Sequence, residues 1–238
     1  KFKDKIKYIV IDKEPDGIVE ENNNPTLQRA NSLKRIELSY DEHFNSIKDA
    51  NDDDFIMLSD NDEIPNLDSE DFKKNKNDIV IFNQLFFYFK FNLLYDQMLW
   101  PGTKGCKKKN LKSFSWLRNI KLKKYPIWRI DTYFSNTKYS NLNIISNGGW
   151  HFTNLKSPED MYEKFMNFGH HDEFRLSGIS VDEIRDKISK REMFYDHFAD
   201  KSSKNKWNSG YKLKKIDPGL LPIYLTSNKE KYLEWFDI

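Results

Sequence analysis

Over the first quarter of this chain, apolar positions first alternate with polar ones and then recur at helical spacing. In Lys5-Ile6-Lys7-Tyr8-Ile9-Val10-Ile11 alternation gives way to an apolar run, which predicts a strand. Residues 12–24, rich in Asp, Glu, Asn and Pro, predict a loop. Pro25 opens a segment in which Leu27, Ala30, Leu33 and Ile36 fall on one helical face, so a helix is expected over 26–38, with a further turn or two over 41–50. The acidic stretch Asn51-Asp52-Asp53-Asp54 then leads into a strand, Phe55-Ile56-Met57-Leu58. Strand, loop, helix, strand is the order of a βαβ unit and predicts a parallel sheet.

Further on, residues 68–76 predict a short charged helix, and 78–89 are so rich in β-branched and aromatic residues that they predict a strand, bent at Asn83-Gln84. Trp100-Pro101-Gly102-Thr103 reads as a turn, residues 104–109 as a short basic strand, and 111–120 as a helix. Residues 143–152 form a strand interrupted by Gly148-Gly149, a pair of the kind that marks close backbone approach to a ligand. Ser157-Pro158-Glu159-Asp160 is a helix start: Ser as N-cap, Pro at the first position, acids in the first turn. A second helix is expected from Ser180 or Val181 to about Arg191, and a short last one over 228–236. With no internal repeat or composition break, one domain over 1–238 is expected.

Composition narrows the class. The 238 residues are 38% hydrophobic and 15% aromatic, enough for a sizeable core beside 32% charged residues. A net charge of +2 gives no global field for nucleic acid. The basic run over 104–124, interleaved with Phe114 and Trp116, is read as a solvated face rather than a nucleic-acid surface. Cys106 is the single cysteine, which excludes an intrachain disulfide and a cysteine-based zinc site. No apolar run is long enough to span a membrane and no signal-peptide pattern is present, so a cytoplasmic location is expected.

Candidate chemistry starts at Asp60-Asn61-Asp62-Glu63, where a buried strand ends in three carboxylates. On an extended backbone Asp60 and Asp62 share a face and Asn61 points away. Two hard oxygen donors on one face suit Mg²⁺ or Mn²⁺, which leave their other positions to water and substrate phosphates. A solvated acidic turn is the alternative.

Several short patterns then occur in order: Gln28-Arg29, Asp60-Asn61-Asp62-Glu63-Ile64-Pro65, Gly149-Trp150-His151-Phe152, Ser157-Pro158-Glu159-Asp160, His171-Asp172-Glu173-Phe174 and Asn228-Lys229-Glu230-Lys231-Tyr232. Together they resemble glycosyltransferase family 17, whose animal members add the bisecting N-acetylglucosamine to N-glycan cores. The resemblance spans nearly the whole chain and implies an α/β, GT-A-like nucleotide-sugar transferase fold, with a mixed, mainly parallel sheet flanked by helices. It implies metal-dependent, inverting transfer of a sugar, N-acetylglucosamine or a similar one, from a UDP-sugar donor to a glycan or glycoconjugate acceptor. The family's fold begins with a strand and helix that precede the segment opening here and help bind the uridine. Either that unit is missing from this chain or this member is minimal.

On this reading Asp60 and Asp62 hold Mn²⁺ or Mg²⁺ against the donor diphosphate, where a cation offsets developing negative charge. His151 supplies a further metal ligand or a hydrogen bond to the diphosphate, or is a satisfied strand histidine. Trp150 offers a flat face for a sugar ring or belongs to the core. Arg29 neutralises the donor or braces the carboxylate strand. Inversion requires a carboxylate to take the acceptor proton. Glu173 is the expected base, with Glu63 and then Asp96 as alternatives; Glu63 equally well supports the metal ligand Asp62 or binds the acceptor, and His171 or His170 orients either glutamate. A sugar-binding protein without turnover, and a metal-dependent phosphoesterase or nuclease on the same carboxylates, are the competing classes.

Overall fold

The computed structural model describes residues 3–20, 24–168, 171–199 and 206–238. It is an α/β structure with a mixed sheet flanked by helices. Its contacts divide the chain into two compact units: Lys1–Asp60, Leu67–Phe82 and Thr103–Ser146 in the first, and Asn61–Asn66, Asn83–Gly102 and Asn147–Ile238 in the second. No helix among the described residues is long and apolar enough to cross a membrane.

The first unit opens without the expected strand. Residues 6–12 have no regular structure, and Ile6, Tyr8 and Val10 are exposed. Alternation alone cannot make a strand without a neighbouring ladder to take up its backbone groups. Helix α1 (Pro25–Glu42) forms as expected: the Asn24 side chain caps the amides of Thr26 and Leu27, and Pro25 occupies the first turn. Its buried side is not the expected apolar stripe, for Leu33 and Ile36 are exposed. The fully buried position is Asn31, whose side chain accepts from the Val19 amide and donates to the Val19 carbonyl, so a polar clasp fastens the preceding loop.

Strand β1 (Phe55–Leu58) runs antiparallel to the end of the long strand described below as β4, from Phe55↔Lys107 to Leu58↔Lys104. This pairing corrects the expected βαβ unit. After a three-residue strand β2 (Glu63–Pro65) and a short helix α2 (Glu70–Lys73), strand β3 (Ile79–Tyr88) supplies its first residues, Ile79 to Phe82, to a parallel ladder with β5 (Leu142–Ile145). Both faces of that ladder are covered. Ile79 and Ile81 join Ile56, Cys106, Phe114 and Leu117 on one side, while Val80, Phe82 and Ile145 meet Phe55 and Phe72 on the other. An unbroken apolar run is the sequence form of such a strand. Helix α3 (Phe114–Asn119) is capped by Ser113, and the buried Lys104 ammonium donates to the carbonyls of Arg118 and Ile120 at its far end.

In the second unit, the later residues of β3 pair in parallel with β6 (Gly149–Thr153), from Leu85↔Trp150 to Tyr88↔Thr153, and β2 runs antiparallel along β6. Strand β4 (Leu93–Lys107) contains the expected Trp100–Thr103 turn as extended backbone. Its ladder with β7 (Lys214–Lys215) ends at Leu94, and that with β1 starts at Lys104. Pro101 lies between them, where its missing N–H costs no bond on that side. Gly102 leaves the room that the buried Gln84 side chain fills. The β1–β4, β2–β6 and β4–β7 ladders are antiparallel, against the parallel β3–β5 and β3–β6, so the sheet is less parallel than expected.

Helices α4 (Pro158–Asn167), α5 (His171–Ser177) and α6 (Val181–Ser189) cover an aromatic core of Phe86, Tyr95, Phe165, Phe174, Phe194 and Trp207. The cap at α4 is the one expected, with Ser157 binding the Asp160 amide; at α6 Ser180 and Glu183 form a reciprocal box. A second apolar group, with Phe87, Phe152, Leu221, Leu225 and Phe236, receives the C-terminal turns α7 (Ile223–Ser227) and the 3₁₀ segment Lys229–Trp235.

Candidate functional site

The β2–β6 ladder builds the site. Glu63, Ile64 and Pro65 lie opposite His151, Trp150 and Gly149. The glycines make this approach possible. A side chain on Gly149 would strike the Ile64 carbonyl, and its φ of +112° belongs to glycine; one on Gly148 would strike the backbone of Asn83. The glycine pair therefore marks close approach of backbone to backbone, where the sequence suggested approach to a ligand.

Asn61 and Asp62 form a turn ahead of β2, so the alternation that would have aligned Asp60 with Asp62 does not hold there. Asp62 is fixed at its backbone, whose carbonyl accepts from the Phe152 amide at 2.8 Å, and at its side chain, 3.4 Å from His151 Nε2. Burial raises its pKa, but the hydrogen bond and charge of His151 and the nearby Lys164 ammonium outweigh this and hold the carboxyl below its ordinary value.

His151 is buried in a three-ring cluster, 4.5 Å from the Trp100 ring and 4.8 Å from Phe86, which lie 5.0 Å from each other. Its Nδ1 is buried with no hydrogen-bond partner. Trp100 donates its indole N–H to the buried Glu63 carboxylate at 2.9 Å. Asp62, Glu63, Trp100 and His151 thus form one connected group.

A cavity of about 520 Å³ opens beside it, with Asn61, Asp62, Asn154, Lys156 and Lys164 as polar wall and Phe91, Phe152 and Leu155 as apolar wall. A smaller cavity of about 310 Å³ shares Asn154 and Lys164 and, apart from Thr153, is walled by rings, among them Tyr88, Trp100, Phe165, Tyr195 and Trp207. Lys164 donates to Asn154 Oδ1 at 2.9 Å, and Asn154 holds its side chain from a left-handed backbone, φ +58°. Burial pushes the Lys164 pKa down, Asp62 opposes the shift and Lys156 adds to it. His197, also on the smaller cavity, is driven down to about 4 by burial against the opposing charge of Asp196. It is neutral at pH 7, and its Nε2 lies 2.5 Å from the hydroxyl of Tyr88, which burial keeps protonated.

The remaining expected site residues lie elsewhere. Asp60 belongs to the first unit, where Arg118 pairs with it at 2.8 Å and the Tyr40 hydroxyl is 3.4 Å away. Arg29 is half-buried on α1 of the same unit. Trp150 projects from the opposite face of β6 to His151, donates to the Leu220 carbonyl at 2.7 Å and packs with the C-terminal apolar group. Glu173, on α5, is largely covered and pairs with the buried Lys206 at 2.7 Å, and the Lys206 ammonium also lies over the Tyr195 ring. His171 is on the same helix with a buried, unpartnered Nδ1. Neither Glu173 nor His171 is among the described walls of the two cavities. Asp96 is held far below the carboxylate range by Lys214, Tyr211 and Gln97. His170 lies outside the described residues.

For a divalent cation, no group of three His, Cys, Asp or Glu side chains occurs among the described residues. A hard cation at a diphosphate needs only one or two carboxylates, water and the phosphates themselves. Asp62, ionised and at a cavity wall, fits that requirement, whereas Asp60 already has its charge offset by Arg118.

Sequence reasoning missed Trp100, Asn154, Lys164, His197 and the Lys206 partner of Glu173. The one available signal was at 153–158, where Asn154 falls between a strand and a capped helix and so sits at a sheet edge. No protein-family model, curated protein or solved structure matches the chain.

Proposed function

We propose that the chain is a metal-dependent, inverting glycosyltransferase with a GT-A-like fold. It moves a sugar, N-acetylglucosamine or a close relative, from a UDP-sugar to a glycan or glycoconjugate acceptor. The observation that carries the reading is the β2–β6 ladder. The two most characteristic segments of the family resemblance, Asp62-Glu63-Ile64-Pro65 and Gly149-Trp150-His151-Phe152, are far apart in sequence and adjacent in space, and Asp62 is ionised at a cavity between them and Lys164.

In this proposal Asp62 would hold Mn²⁺ or Mg²⁺, which when bound offsets the charge of the leaving diphosphate. Lys164 and Lys156 place positive charge on the same cavity wall for the donor's anionic groups. His151, packed against Trp100 and Phe86, orients the Asp62 carboxylate. Because Glu173 is committed to Lys206, Glu63, next to Asp62 and hydrogen-bonded to Trp100, becomes the first candidate for the base, although it too is on neither described cavity wall. That closure of Glu173 also favours a second reading, a protein that binds sugar without turning it over.

The test is calorimetry and transfer with UDP-N-acetylglucosamine, with and without Mn²⁺, on native protein and on Asp62→Asn. Native protein is expected to bind and transfer only with the metal, and Asp62→Asn to lose both with its circular dichroism unchanged. Full transfer by Asp62→Asn would overturn the metal assignment. Metal-dependent donor binding without transfer to any glycan would select the binding-only reading.

A further inference from the structure

We propose that the first unit carries a docking surface for anionic phospholipid membranes, formed by residues 121–134. The observation is an apolar surface with a basic rim. Ile127, Trp128, Ile130, Tyr133 and Phe134 are between 68% and 87% exposed. Five such side chains fall within the eight residues 127–134, and apolar groups gathered in this way mark an interaction site, whereas scattered ones do not.

The segment is held in place. The amides of Lys121 and Tyr125 donate to the carbonyls of Thr137 and Tyr139, and the Tyr133 hydroxyl donates to the Ile127 carbonyl at 3.1 Å. Residues Ile130–Thr132 form a 3₁₀ turn, and the buried Tyr125 ring lies beneath the cations of Lys123, Arg129 and Lys138 at 5.2–5.9 Å. Packing therefore fixes the backbone while the apolar side chains stay outside.

Charge decides the occupant. Over residues 121–138 the sequence has one acidic residue, Asp131, against Lys121, Lys123, Lys124, Arg129 and Lys138. Asp131 is taken up by Arg129 and Lys138. Lys121, Lys123 and Lys124 are exposed and in no ion pair with the described residues. A second copy docking through the same patch would set these lysines against their own images. Nucleic acid would use the lysines and could stack on the aromatic rings, but Ile127 and Ile130 have no role there. A membrane interface uses all three classes: aromatic rings at headgroup level, aliphatic side chains at the acyl boundary, and lysines on anionic headgroups. This is surface attachment, distinct from spanning, and stands independently of the proposed sugar transfer.

The experiment is co-sedimentation with phosphatidylcholine vesicles, with or without about 30% phosphatidylserine, a content that gives an anionic surface potential. Three proteins are compared: native, the apolar variant Trp128→Ser/Ile130→Ser/Phe134→Ser, and the basic variant Lys121→Gln/Lys123→Gln/Lys124→Gln. All changed residues are exposed, and circular dichroism with thermal melting checks the fold. Native protein is expected to partition onto the serine-containing vesicles and to be released by salt. The apolar variant should lose at least about tenfold in partitioning, and the basic variant about fivefold per lysine. Absence of native partitioning, or equal partitioning of all three proteins, overturns the proposal. So does a surface that binds an oligonucleotide or self-associates instead, with the same variants abolishing that behaviour.

Discussion

Glu173 and Lys206 show how one pair redirects a functional reading. A carboxylate in a short motif far from the metal-type carboxylates is a reasonable base until its partner is known. In the fold the buried Lys206 ammonium and the largely covered Glu173 carboxylate lie 2.7 Å apart, so each depends on the other. Glu173→Gln should lower the unfolding free energy by about 3 kcal/mol, the scale for breaking one side of a buried pair. Urea denaturation measures this. Donor binding at the Asp62 cavity should be unchanged in the folded fraction. A base role predicts the reverse: near-normal stability with turnover down roughly 10²–10⁴-fold. Asp60 is a parallel case, since Arg118, legible only as part of a basic run, meets it in the first unit.

At the scale of elements, helices were the most legible. Ser157, expected as a cap, makes its backbone contact, and Asn24 and Ser180 cap their helices in the same way, because capping involves residues only two or three positions apart. Strands were legible as apolar runs but not as partners. The alternating segment at 5–11 has the pattern without a ladder, and the Pro-Gly at 101–102 has the turn signal inside a strand. The glycines provide a test of how the β2–β6 ladder is made. Gly149→Ala combines positive φ with a clash against Ile64 and should cost more than about 2 kcal/mol, with loss of donor binding. Gly178 has φ +71° but open space around it, so Gly178→Ala should cost only about 1 kcal/mol and leave binding intact. Equal effects in thermal melts of the two variants would mean that backbone strain, not strand approach, sets the requirement at Gly149.

For the molecule as a whole, pH reports on what is buried. His197 titrates at about 4 in the folded state, against an ordinary value of 6.5. Folding therefore favours its neutral form. The unfolded chain binds the extra proton first as pH falls, so this part of the stability is complete above about pH 6.5 and is lost between there and about pH 4. Between pH 7 and pH 5 the loss from this one group should reach about 2 kcal/mol. His197→Gln should flatten the stability profile over that window in urea titrations. A variant that keeps the native slope would assign the loss to other groups. Carboxylates held low by lysines, such as Asp53 at about 2 through Lys109 and Lys107, release their share below the window.

The division between chain and fold follows the range of the forces involved. Local chemistry was enough to identify the helix starts, the apolar cores of β1 and β3, the glycine-requiring junction at 148–149, and Asp60-Asn61-Asp62-Glu63 as a place where charge gathers. Tertiary structure alone decided which carboxylate faces a cavity. It gave Asp60 to Arg118, Glu173 to Lys206 and Trp150 to the C-terminal apolar group, and it gathered Asp62, His151, Trp100 and Lys164 into one site. The physical reason is that caps and periodicity act between near neighbours along the chain. Ion pairing, burial and the pKa values that follow depend on partners that only folding brings within a few ångströms.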